Sequence, residues 1–456
     1  MALTTVILAA GQGKRMNSDL PKVLQPLGGR SILSHVLATA SALGSQSINI
    51  VYGHGGDLVR KEFESSTADW TFQAEQLGTG HALKQALPNI SKDHQILILF
   101  GDVPLITEGS LKNLLKVANQ EGGIALLTAE LSNPEGYGRV LRNDTNEIIE
   151  IVEEKDATSD QKLIKEINTG LMVVPGEAIH DWTKKLSANN QQGEFYLTDI
   201  ISIAVAEGVP VFGEIIENAE EIIGINDRVQ LAQAERILQR RQAQEMMVQG
   251  ATLADPGRFD LRGSLKVGRD VFIDVGAVFL GDVELGNRVC IGPNAIISDS
   301  ILGDDCIVQE HCVIEGVKAG TECEIGPFAR LRPGTEFDKQ VKVGNFVEVK
   351  ASTVGVGSKM NHLSYLGDTH IGENTNIGAG AITCNYDGAL KHRTIIGNNV
   401  FVGSGAMLVA PLEIADGATI GAGSTITKNI PEKTLAVARS QQSIIKGWKR
   451  PRKPSR

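Results

Sequence analysis

The second half of the chain carries an apolar residue at nearly every sixth position, and glycine often follows it. The register starts near residue 267, resumes near residues 302 and 371, and then runs unbroken from residue 396 to 426. Its members are Val267, Ile273, Phe279, Leu285, Ile291, Ile297, Leu302, Val308, Ile314, Ile371, Ile377, Thr383, Ile396, Val402, Leu408, Ile414, Ile420 and Ile426. This period is typical of a hexapeptide β-helix, in which three short strands form one coil and stacked coils bury each other's open ends.

We therefore predict a left-handed parallel β-helix with a C-terminal tail over residues 251–456. Helices of this kind typically associate as homotrimers, and their left-handed coil goes against the usual crossover rule. The register is interrupted near residues 298–302, 315–325 and 384–395, and we interpret each interruption as an inserted loop. The third, "CNYDGALKHR", is polar and is predicted to project from the coil, where functional sites are expected.

The first half has a different pattern, because short apolar runs alternate with amphipathic stretches from residue 3 to about 225. The segments "INIVYG", "QILILFGD", "GIALLTAEL" and "INTGLMVVP" indicate strands, and "SILSHVLATASAL", "TGHALKQAL" and "GSLKNLLKVANQ" indicate helices. This alternation predicts a Rossmann-like α/β domain over residues 1–226, with a mostly parallel sheet covered on both faces. Residues 227–250 lack proline and, before Gly250, glycine, so they predict a helical linker that begins at Asp227 and ends at Gly250.

A glycine-rich turn, "LAAGQGKRM", follows the apolar run that ends at Leu8. It fits neither the dinucleotide-binding pattern nor the P-loop pattern. Its backbone N–H groups, with Lys14, Arg15 and Lys22 close by in sequence, suit a triphosphate. An ordinary strand-to-helix turn with solvated charges fits these residues equally well. Because ligands of open α/β sheets bind outside the carboxyl ends of the strands, we expect "LAAGQGKRM" and "FGDVPL" to meet at one site.

Composition excludes several classes of protein. The formal net charge of −10 argues against a nucleic-acid-binding protein. No stretch approaches the roughly 18 apolar residues of a membrane span, and no signal peptide is evident, so we expect a cytoplasmic location and no membrane insertion. The five cysteines form no CxxC pair and are odd in number, which excludes a complete disulfide framework and favours buried thiols.

The ordered motifs of both halves resemble one family. The segments "LAAGQGKRM", "LPKVL", "QAEQLGTGHA", "FGDVPL", "GYGRV", "IVEEKDA", "EINTG" and "GINDR" resemble sugar nucleotidylyltransferases. The segments "GPFARLRPG", "GNFVEVK", "NHLSYLGD", "NIGAGAITCNYDG" and "VGSGAMLVAP" resemble acyl-CoA-dependent acetyltransferases of the hexapeptide type. Their combination resembles the bifunctional family that acetylates glucosamine-1-phosphate and uridylylates N-acetylglucosamine-1-phosphate. The resemblance implies UDP-N-acetylglucosamine synthesis from acetyl-CoA and UTP with Mg²⁺, for cell-wall and surface-glycan precursors.

For the uridylyl transfer, the resemblance implies that Arg15 and Lys22 steady the phosphates and that Asp102 and Asn226 hold Mg²⁺. The implied nucleotide and sugar contacts are Leu8, Ala9, Ala10, Gly11, Lys22, Gln73, Gly78, Thr79, Phe100, Asp102, Gly138, Glu153, Asn168 and Asn226. Gln73, Gly78 and Thr79 resemble uracil-reading positions. Phe100 stands where some members of the family carry tyrosine. Taken alone, Asp102 before Pro104 fits an ordinary turn as well.

For the acetyl transfer, the resemblance implies that His362 is the base, since histidine titrates near neutral pH and can take the proton of an ammonium group. The implied contacts with glucosamine-1-phosphate and acetyl-CoA are Arg332, Lys350, Tyr365, Asn376, Ala379, Asn385, Tyr386, Ser404, Ala422 and Arg439. A lone histidine in a β-helix is more often a surface or packing residue. The basic tail "KGWKRPRKPSR" is either a frayed terminus or a segment that covers cofactor phosphates of a neighbouring subunit, with Trp448 stacking.

Three other interpretations remain. In the first, the chain is a nucleotidylyltransferase whose β-helix is only an oligomerisation or regulatory module. In the second, the chain is a non-catalytic binding protein in which both sites have decayed. The joint presence of Arg15, Lys22, Asp102, Asn226 and His362 argues against decay. A zinc site formed by His311, His362 and His370 is the third, but no sequence feature requires it, and it leaves the first half unexplained.

Overall fold

A computed structural model describes residues 2–453 of the chain. These residues form two compact units that divide between Leu238 and Gln239. Within residues 2–453, none of the helices combines the length and the apolar character that a membrane crossing requires. The last three residues of the basic tail lie outside the described residues.

The first unit is built around one mixed sheet. The strands of this sheet are β1 (Leu3–Leu8), β4 (Ser47–Tyr52), β5 (Asp69–Phe72), β6 (Gln95–Phe100), β7 (Ile124–Glu130), β8 (Arg139–Arg142), β9 (Ile148–Val152), β10 (Glu166–Pro175) and β11 (Val211–Ile215), while β2 (Pro26–Leu27) and β3 (Arg30–Ser31) of the same unit pair with each other in a separate two-stranded sheet. Its helices are α1 (Ile32–Ala42), α2 (Gly56–Glu62), α3 (Thr79–Ala86), α4 (Glu108–Glu121), α5 (Gly176–Lys185) and α6 (Asp199–Ala206), followed by α7 (Arg228–Val248). Short 3₁₀ turns span Lys14–Met16, Lys22–Leu24, Leu87–Asn89, Gln161–Leu163, Ala219–Ile222 and, in the second unit, Pro256–Arg258.

The sheet order is β11-β7-β10-β6-β1-β4-β5, with the β8–β9 hairpin attached to β10. Strands β6, β1, β4 and β5 run parallel, as do β7 and β11. The predicted α/β class is confirmed, but β10 runs antiparallel to both β6 and β7. No crossover helix separates β7 from β10, and a chain that returns through a hairpin reverses its direction.

The strands β1 and β6 place the two predicted motifs side by side. Both strands end in apolar runs, residues 6–8 and 96–100, that pack against the hydrophobic clusters on both faces of the sheet. Their last residues, Leu8 and Phe100, are direct partners in the parallel register. The turns "LAAGQG" and "GDVP" therefore leave the sheet at the same edge, as the sequence predicts.

The predicted linker helix is confirmed as α7. The Asp227 carboxylate accepts a hydrogen bond from the Gln230 amide at 2.9 Å, which is an N-terminal cap. Gly250, with a φ of 108°, follows the end of the helix. The division between the two units falls within this helix.

The second unit is a parallel β-helix with three strand-bearing faces. One face carries Ala251–Leu253, Val271–Ile273, Cys290–Ile291, Ile307–Val308, Glu324–Ile325, Lys342–Asn345, Lys359–His362, Asn376–Ile377, Phe401–Val402, Thr419–Ile420 and Leu435–Ala436. The other two faces share Asp260–Val267, Val278–Leu285, Ile296–Ser298, Ile301–Leu302, Val313–Glu315, Val317–Ala319, Arg330–Leu331, Thr335–Phe337, Glu348–Lys350, Thr353–Val354, Tyr365–Gly367, Thr369–Ile371, Ile382–Cys384, Thr394–Ile396, Met407–Val409, Leu412–Ile414 and Thr425–Ile426. The six-residue positions of the sequence are buried inside the coils, except for the partly buried Val267. The predicted β-helix is therefore confirmed.

Two of the three predicted loops are wrong. Ile297 pairs with Ile314 and Ile314 with Leu331, so these coils are one residue shorter than the 18-residue step that joins Phe279 to Ile297. At the first shortened corner, the buried Ser300 hydroxyl donates to Ser298 O at 2.6 Å and accepts from Val317 N at 3.1 Å. A serine hydroxyl thus replaces the missing backbone groups, and no loop is needed.

The third interruption is the predicted insertion. Ile371 pairs with Ile396, which lengthens this coil to 25 residues, and the extra chain forms a loop closed by the Tyr386–Lys391 bridge. The Asp387 carboxylate accepts from the amides of Ala389 and Leu390 and contacts His392 Nε2 at 2.7 Å. These contacts hold the pKa of Asp387 well below its usual range and give the loop a fixed shape.

Adjacent residues of one strand test the coil interior. Ile297 is fully buried, whereas its neighbour Ile296 points outward and is 38% exposed. We expect Ile297→Ala to lower the free energy of unfolding by about 2–5 kcal/mol, since it leaves a cavity in a close-packed column. We expect Ile296→Ala to cost less than about 1 kcal/mol. Urea unfolding followed by circular dichroism measures both, and equal losses would contradict the assigned faces.

Candidate active sites

A cavity of about 510 Å³ lies at the edge of the first unit's sheet where β1 and β6 end. Predicted residues that line it are Leu8, Ala9, Ala10, Gly11, Lys22, Gln73, Gly78, Thr79, Phe100 and Asp102. Gln12, Lys14, Val23, Gln76, Ala82 and Glu194 complete the lining. The structure thus brings the glycine-rich turn, the "QLGTG" segment and the aspartate after β6 to one cavity.

Lys22 lies at the centre of the polar end of this site. Its ammonium group contacts Asp102 Oδ2 at 2.5 Å and Asn226 Oδ1 at 3.1 Å. The Ile225 amide donates to the Asp102 carbonyl at 2.8 Å, which brings the "GINDR" segment next to "FGDVP". Three residues from distant parts of the sequence thus converge on one point.

This convergence bears on the implied metal. The oxygens of Asp102 and Asn226 share one cationic neighbour, the Lys22 ammonium, so the position between them already suits a positive charge. Within residues 2–453 there is no cluster of three or more His, Cys, Asp or Glu suited to a metal ion. Mg²⁺ commonly uses one or two protein oxygens and completes its shell with water and phosphate. The residues present fit a magnesium ion held jointly with a phosphorylated substrate.

The glycine-rich turn owes its shape to Gly13. Gly13 has a φ of 61°, and a Cβ there would lie 2.6 Å from Lys22 Cβ, so a side chain would push Lys22 away. A Cβ on Gly11, by contrast, would meet no atom within 4 Å. Lys14 and the predicted Arg15 are both exposed on the 3₁₀ turn that follows Gly13, and of these two only Lys14 is among the lining residues.

The predicted sugar contacts Gly138, Glu153 and Asn168 form a separate cluster. The Asn168 amide donates to the Gly138 carbonyl at 2.9 Å, and a Cβ on Gly138 would lie 3.5 Å from the Glu153 carboxylate. Asn168 Oδ1 accepts from the Gly170 amide at 2.9 Å, and a Cβ on Gly170 would clash with the Phe100 ring. The ring of Phe100 therefore links this cluster to the cavity.

Burial raises the pKa of Glu153, and the nearby Asp199 and Asp156 carboxylates add to this effect. The Thr198 hydroxyl opposes it by donating to Glu153 Oε1 at 3.0 Å. Burial also raises the pKa of Asp199 to about 6, with Glu150 and Asp156 contributing. The end of the first unit that carries Glu153 therefore concentrates negative charge.

The raised pKa of Asp199 predicts a pH-dependent stability. The folded state holds the Asp199 proton more tightly than the unfolded state, so this contribution is complete below about pH 4 and is lost as the pH rises through about 6. The free energy of unfolding of Asp199→Asn relative to the parent chain is expected to rise by about 1 kcal/mol as the pH increases from 4.5 to 7.5. This figure is discounted for solvent screening, because Asp199 is half-buried. Urea unfolding at both pH values measures the change.

Asp93→Asn supplies a control that titrates outside this pH range. The hydrogen bond from the Ser91 hydroxyl lowers the pKa of the exposed Asp93, so its stabilising contribution is present above about pH 4 and is lost only as the pH falls below that value. We therefore expect little change for Asp93→Asn relative to the parent chain between pH 4.5 and pH 7.5, and an equal gain in both variants would contradict the assignment to Asp199.

In the second unit, cationic side chains gather beside the inserted loop. Arg332 donates to Glu348 Oε1 at 2.8 Å, and this pairing raises the pKa of Arg332. The approach of Lys391 lowers the pKa of Lys350, Arg332 adds to the effect, and Asp368 opposes it. Three cations held close together suit a phosphate group.

Tyr365 and Asn385 lie next to these cations. The Tyr365 hydroxyl and the Asn385 amide nitrogen lie over Gly367, where a Cβ would clash with the first and lie 2.7 Å from the second. Asn385 Nδ2 donates to Asp368 Oδ2 at 2.5 Å. The adjacent Tyr386 is 62% exposed on the loop. Predicted sugar-phosphate contacts therefore meet on this face.

The predicted acetyl-CoA contacts form a column along one corner of the β-helix. Backbone hydrogen bonds join successive coils at this corner, because a glycine directly follows Ala379, Ser404 and Ala422. The Gly380 amide donates to the His362 carbonyl, the Gly405 amide to the Ala379 carbonyl, and the Gly423 amide to the Ser404 carbonyl. Arg439 closes the column, since its Nη1 donates to Ala422 O at 2.8 Å.

His362 is exposed at the start of this column, and its Nδ1 contacts Asn345 Oδ1 at 2.9 Å. An acceptor at Nδ1 keeps the proton there and leaves Nε2 with a lone pair for proton abstraction. Asn376 lies between Lys359 and Phe401 on the same face as the strand that ends at His362. Within one chain, His362 is exposed at its corner, and Tyr365 on the next face is half-buried.

The histidines of the zinc alternative have separate neighbours. His311 stacks on Phe328 at 4.9 Å, His362 contacts Asn345, and His370 contacts Thr353. All five cysteines are free thiols, and three of them are buried.

Sequence reasoning missed several residues of both sites. Gln12 and Gln76 belong to motifs of the sequence, and Gln12 Nε2 donates to Gln76 Oε1 at 3.1 Å. Lys391 was quoted within the polar loop, so its charge was the available signal. Glu194 had no such signal, because it reaches the cavity only through the segment that packs on the turn at Gly78.

The folds and sites define the class of this protein, a transferase with a nucleotidyltransferase unit and a hexapeptide-repeat unit. The model of the MobA-like NTP transferase domain matches residues 5–165, and the bacterial transferase hexapeptide model matches residues 264–299 and 393–428. The chain belongs to the GlmU family of bifunctional proteins and is a bifunctional enzyme.

Three relatives, each named "Bifunctional protein GlmU", carry this assignment. The protein of Marinobacter nauticus is 52% identical over 451 residues, and that of Acinetobacter baumannii (strain ACICU) is 52% identical over 453 residues. Each of these two comparisons covers 99% of this chain and 99% of the relative. That of Alkalilimnicola ehrlichii is 52% identical over 99% of this chain and 97% of its own. A solved structure of a putative glucose-1-phosphate thymidylyltransferase from Bacillus anthracis aligns at 20% identity and a TM-score of 0.41 over 52% of this chain and 95% of its own, which is too distant to add to the assignment.

Proposed function

We propose that this chain first transfers an acetyl group from acetyl-CoA to glucosamine-1-phosphate and then transfers a uridylyl group from UTP to the N-acetylglucosamine-1-phosphate formed. The products are coenzyme A, pyrophosphate and UDP-N-acetylglucosamine. The observation that carries the first-unit reaction is the convergence of Lys22, Asp102 and Asn226 beside the cavity of the glycine-rich turn.

The uridylyl transfer requires positioning and charge neutralisation more than covalent catalysis. A phosphate oxygen of the sugar attacks the α-phosphorus of UTP, and the bond to pyrophosphate breaks. Leu8 to Gly11 cradle the nucleotide, while Lys22, with Lys14 and Arg15, balances the charge that develops on the phosphates. Gly138, Glu153 and Asn168 hold the sugar. Asp102 and Asn226 would hold Mg²⁺, which would supply positive charge to the phosphate oxygens.

The acetyl transfer requires a neutral amine and a polarised thioester. His362 Nε2 takes a proton from the amine of glucosamine-1-phosphate as the nitrogen attacks the thioester carbon, and coenzyme A leaves as its thiol after taking up a proton. Arg332, Lys350 and Lys391 hold the sugar phosphate, with Tyr365, Asn376, Asn385 and Tyr386 around the sugar. Ala379, Ser404, Ala422 and Arg439 bind acetyl-CoA along the column that His362 begins.

We further propose a homotrimer that associates through the β-helix. His311, Phe328 and Phe346 stack along one outer corner at 4.9 Å and 5.4 Å, and the exposed Leu363 continues this ladder. An apolar ladder of this kind favours burial against another copy, which would also enclose His362. Light scattering on the purified chain of 48.8 kDa is expected to give a mass about three times larger.

The remaining proposals concern domain limits and location. We propose a nucleotidyltransferase domain over residues 1–226, a linker over 227–250 and an acetyltransferase domain over 251–456. Free cysteine thiols and the intracellular substrates UTP and acetyl-CoA support a cytoplasmic location.

The deciding experiment supplies the purified protein with glucosamine-1-phosphate, acetyl-CoA, UTP and Mg²⁺ and follows free thiol and pyrophosphate separately. We expect thiol first, and then pyrophosphate whose release depends on acetyl-CoA. Pyrophosphate release only from added N-acetylglucosamine-1-phosphate, without thiol, would mean that the β-helix serves as a scaffold.

A further inference from the structure

A chain of three side chains leads from the surface of α3 into the nucleotide cavity. Gln73 lines the cavity and is only 3% exposed. Its Nε2 lies 3.2 Å from the Gly78 carbonyl oxygen and 3.0 Å from His81 Nδ1. On the other side of the imidazole, His81 Nε2 lies 3.0 Å from the carboxamide of Gln85.

These contacts fix the orientation of the Gln73 carboxamide. The Gly78 carbonyl can only accept, so the end of Gln73 that faces it must be the NH₂ group. The second proton of that group then points to His81 Nδ1, which must offer a lone pair. A neutral imidazole with a lone pair at Nδ1 carries its proton at Nε2.

Gln85 completes the chain as an acceptor. Its Nε2 faces His81 Nε2, and two N–H groups cannot bond to each other. A half-turn of the Gln85 carboxamide exchanges its oxygen and nitrogen and places the oxygen against the His81 proton. Gln85, His81 and Gln73 then form one directed chain that ends at the Gly78 carbonyl.

The carbonyl oxygen of Gln73 is the polar end that this chain leaves for a ligand, since both amide protons are used. We propose that His81 is a positioning residue that holds Gln73 with Oε1 toward the bound base and thereby favours uracil over cytosine. This inference rests on the proposed function, in which UTP binds this cavity. Uracil offers an N3–H donor to that oxygen, whereas cytosine offers only a lone pair at N3, and turning Gln73 over to suit cytosine breaks its bonds to His81 and Gly78.

The test measures the KM for UTP and the inhibition constant of CTP in the uridylyl transfer catalysed by the full chain. We expect His81→Leu to reduce the ratio of CTP inhibition constant to UTP KM by about tenfold, because nothing then opposes rotation of Gln73 except Gly78. We expect His81→Asn to keep most of the selectivity, since the asparagine oxygen can accept near the former position of Nδ1. An unchanged ratio in His81→Leu, or equal loss of selectivity in both variants, would overturn the proposal.

Variants of the partly exposed Gln85 keep the proposal testable if His81→Leu does not fold. Gln85→Glu retains an acceptor for the His81 proton, and we expect the parental selectivity. Gln85→Lys offers only a donor, and we expect the ratio of CTP inhibition constant to UTP KM to fall by about threefold or more. Equal selectivity in the two Gln85 variants would overturn the chain. Failure of the parent enzyme to use UTP would contradict the proposed function instead, and it would be evident before any variant is made.

Discussion

Asp102→Asn is expected to lower the rate of uridylyl transfer at least about a thousandfold while acetyl transfer stays at the parental rate. Asp102 is the carboxylate that faces Lys22 at 2.5 Å at the polar end of the cavity. The substitution keeps the shape of the side chain and removes its negative charge. It therefore weakens the proposed hold on Mg²⁺ and removes the ion pair of Lys22, which keeps its contact with Asn226.

Pyrophosphate release from UTP and N-acetylglucosamine-1-phosphate measures the first reaction, and free thiol from acetyl-CoA measures the second. Asp69→Asn is a matched control, because Asp69 lies exposed on β5 of the same unit and outside the lining of the cavity. Loss of both activities by folded Asp102→Asn would contradict the assignment of two independent sites.

The sequence predicts best those features that repeat or that end a strand. The six-residue register predicts the buried column of the β-helix, because each apolar residue stacks on its equivalents in the coils above and below. The parallel register of Leu8 with Phe100 likewise follows from two apolar runs that both end in a glycine turn. In both cases local pattern and tertiary packing agree.

The sequence predicts least well those features that depend on how segments distant in sequence pack against one another. A five-residue step suggested an inserted loop, but Ser300 shortens the corner by bonding two backbone groups. The phosphate turn predicts Lys14 and Arg15 as equivalent cations, and of these two only Lys14 lines the cavity. Glu194 reaches the site through tertiary packing alone.

The acetyl-transfer site shows a further limit. The sequence predicts Arg332 and Lys350 as the cations of a phosphate site, and the structure adds Lys391 beside Lys350. Lys391 belongs to the insertion that lengthens one coil to 25 residues. The repeat pattern predicts where this insertion projects from the β-helix, but it does not predict which side chain of the insertion approaches Lys350.

His362→Ala is expected to lower acetyl transfer by about 10²–10⁴-fold and to leave uridylyl transfer from added N-acetylglucosamine-1-phosphate unchanged. The imidazole contacts Asn345 through Nδ1, and its removal leaves the amine without a group placed to take its proton. The loss is expected in kcat, since the proposed phosphate contacts of glucosamine-1-phosphate are retained.

His370→Ala is the matched control for this prediction. His370 is exposed on the same β-helix and also contacts a polar side chain through Nδ1, that of Thr353 at 2.7 Å, but it lies on a different face. It therefore reproduces the loss of a surface imidazole without touching the column of His362, Ala379 and Ser404. Equal loss of acetyl transfer in both variants would point to a general effect on the β-helix, whereas parental activity in both would mean that the amine loses its proton to solvent and that His362 has no part in the reaction.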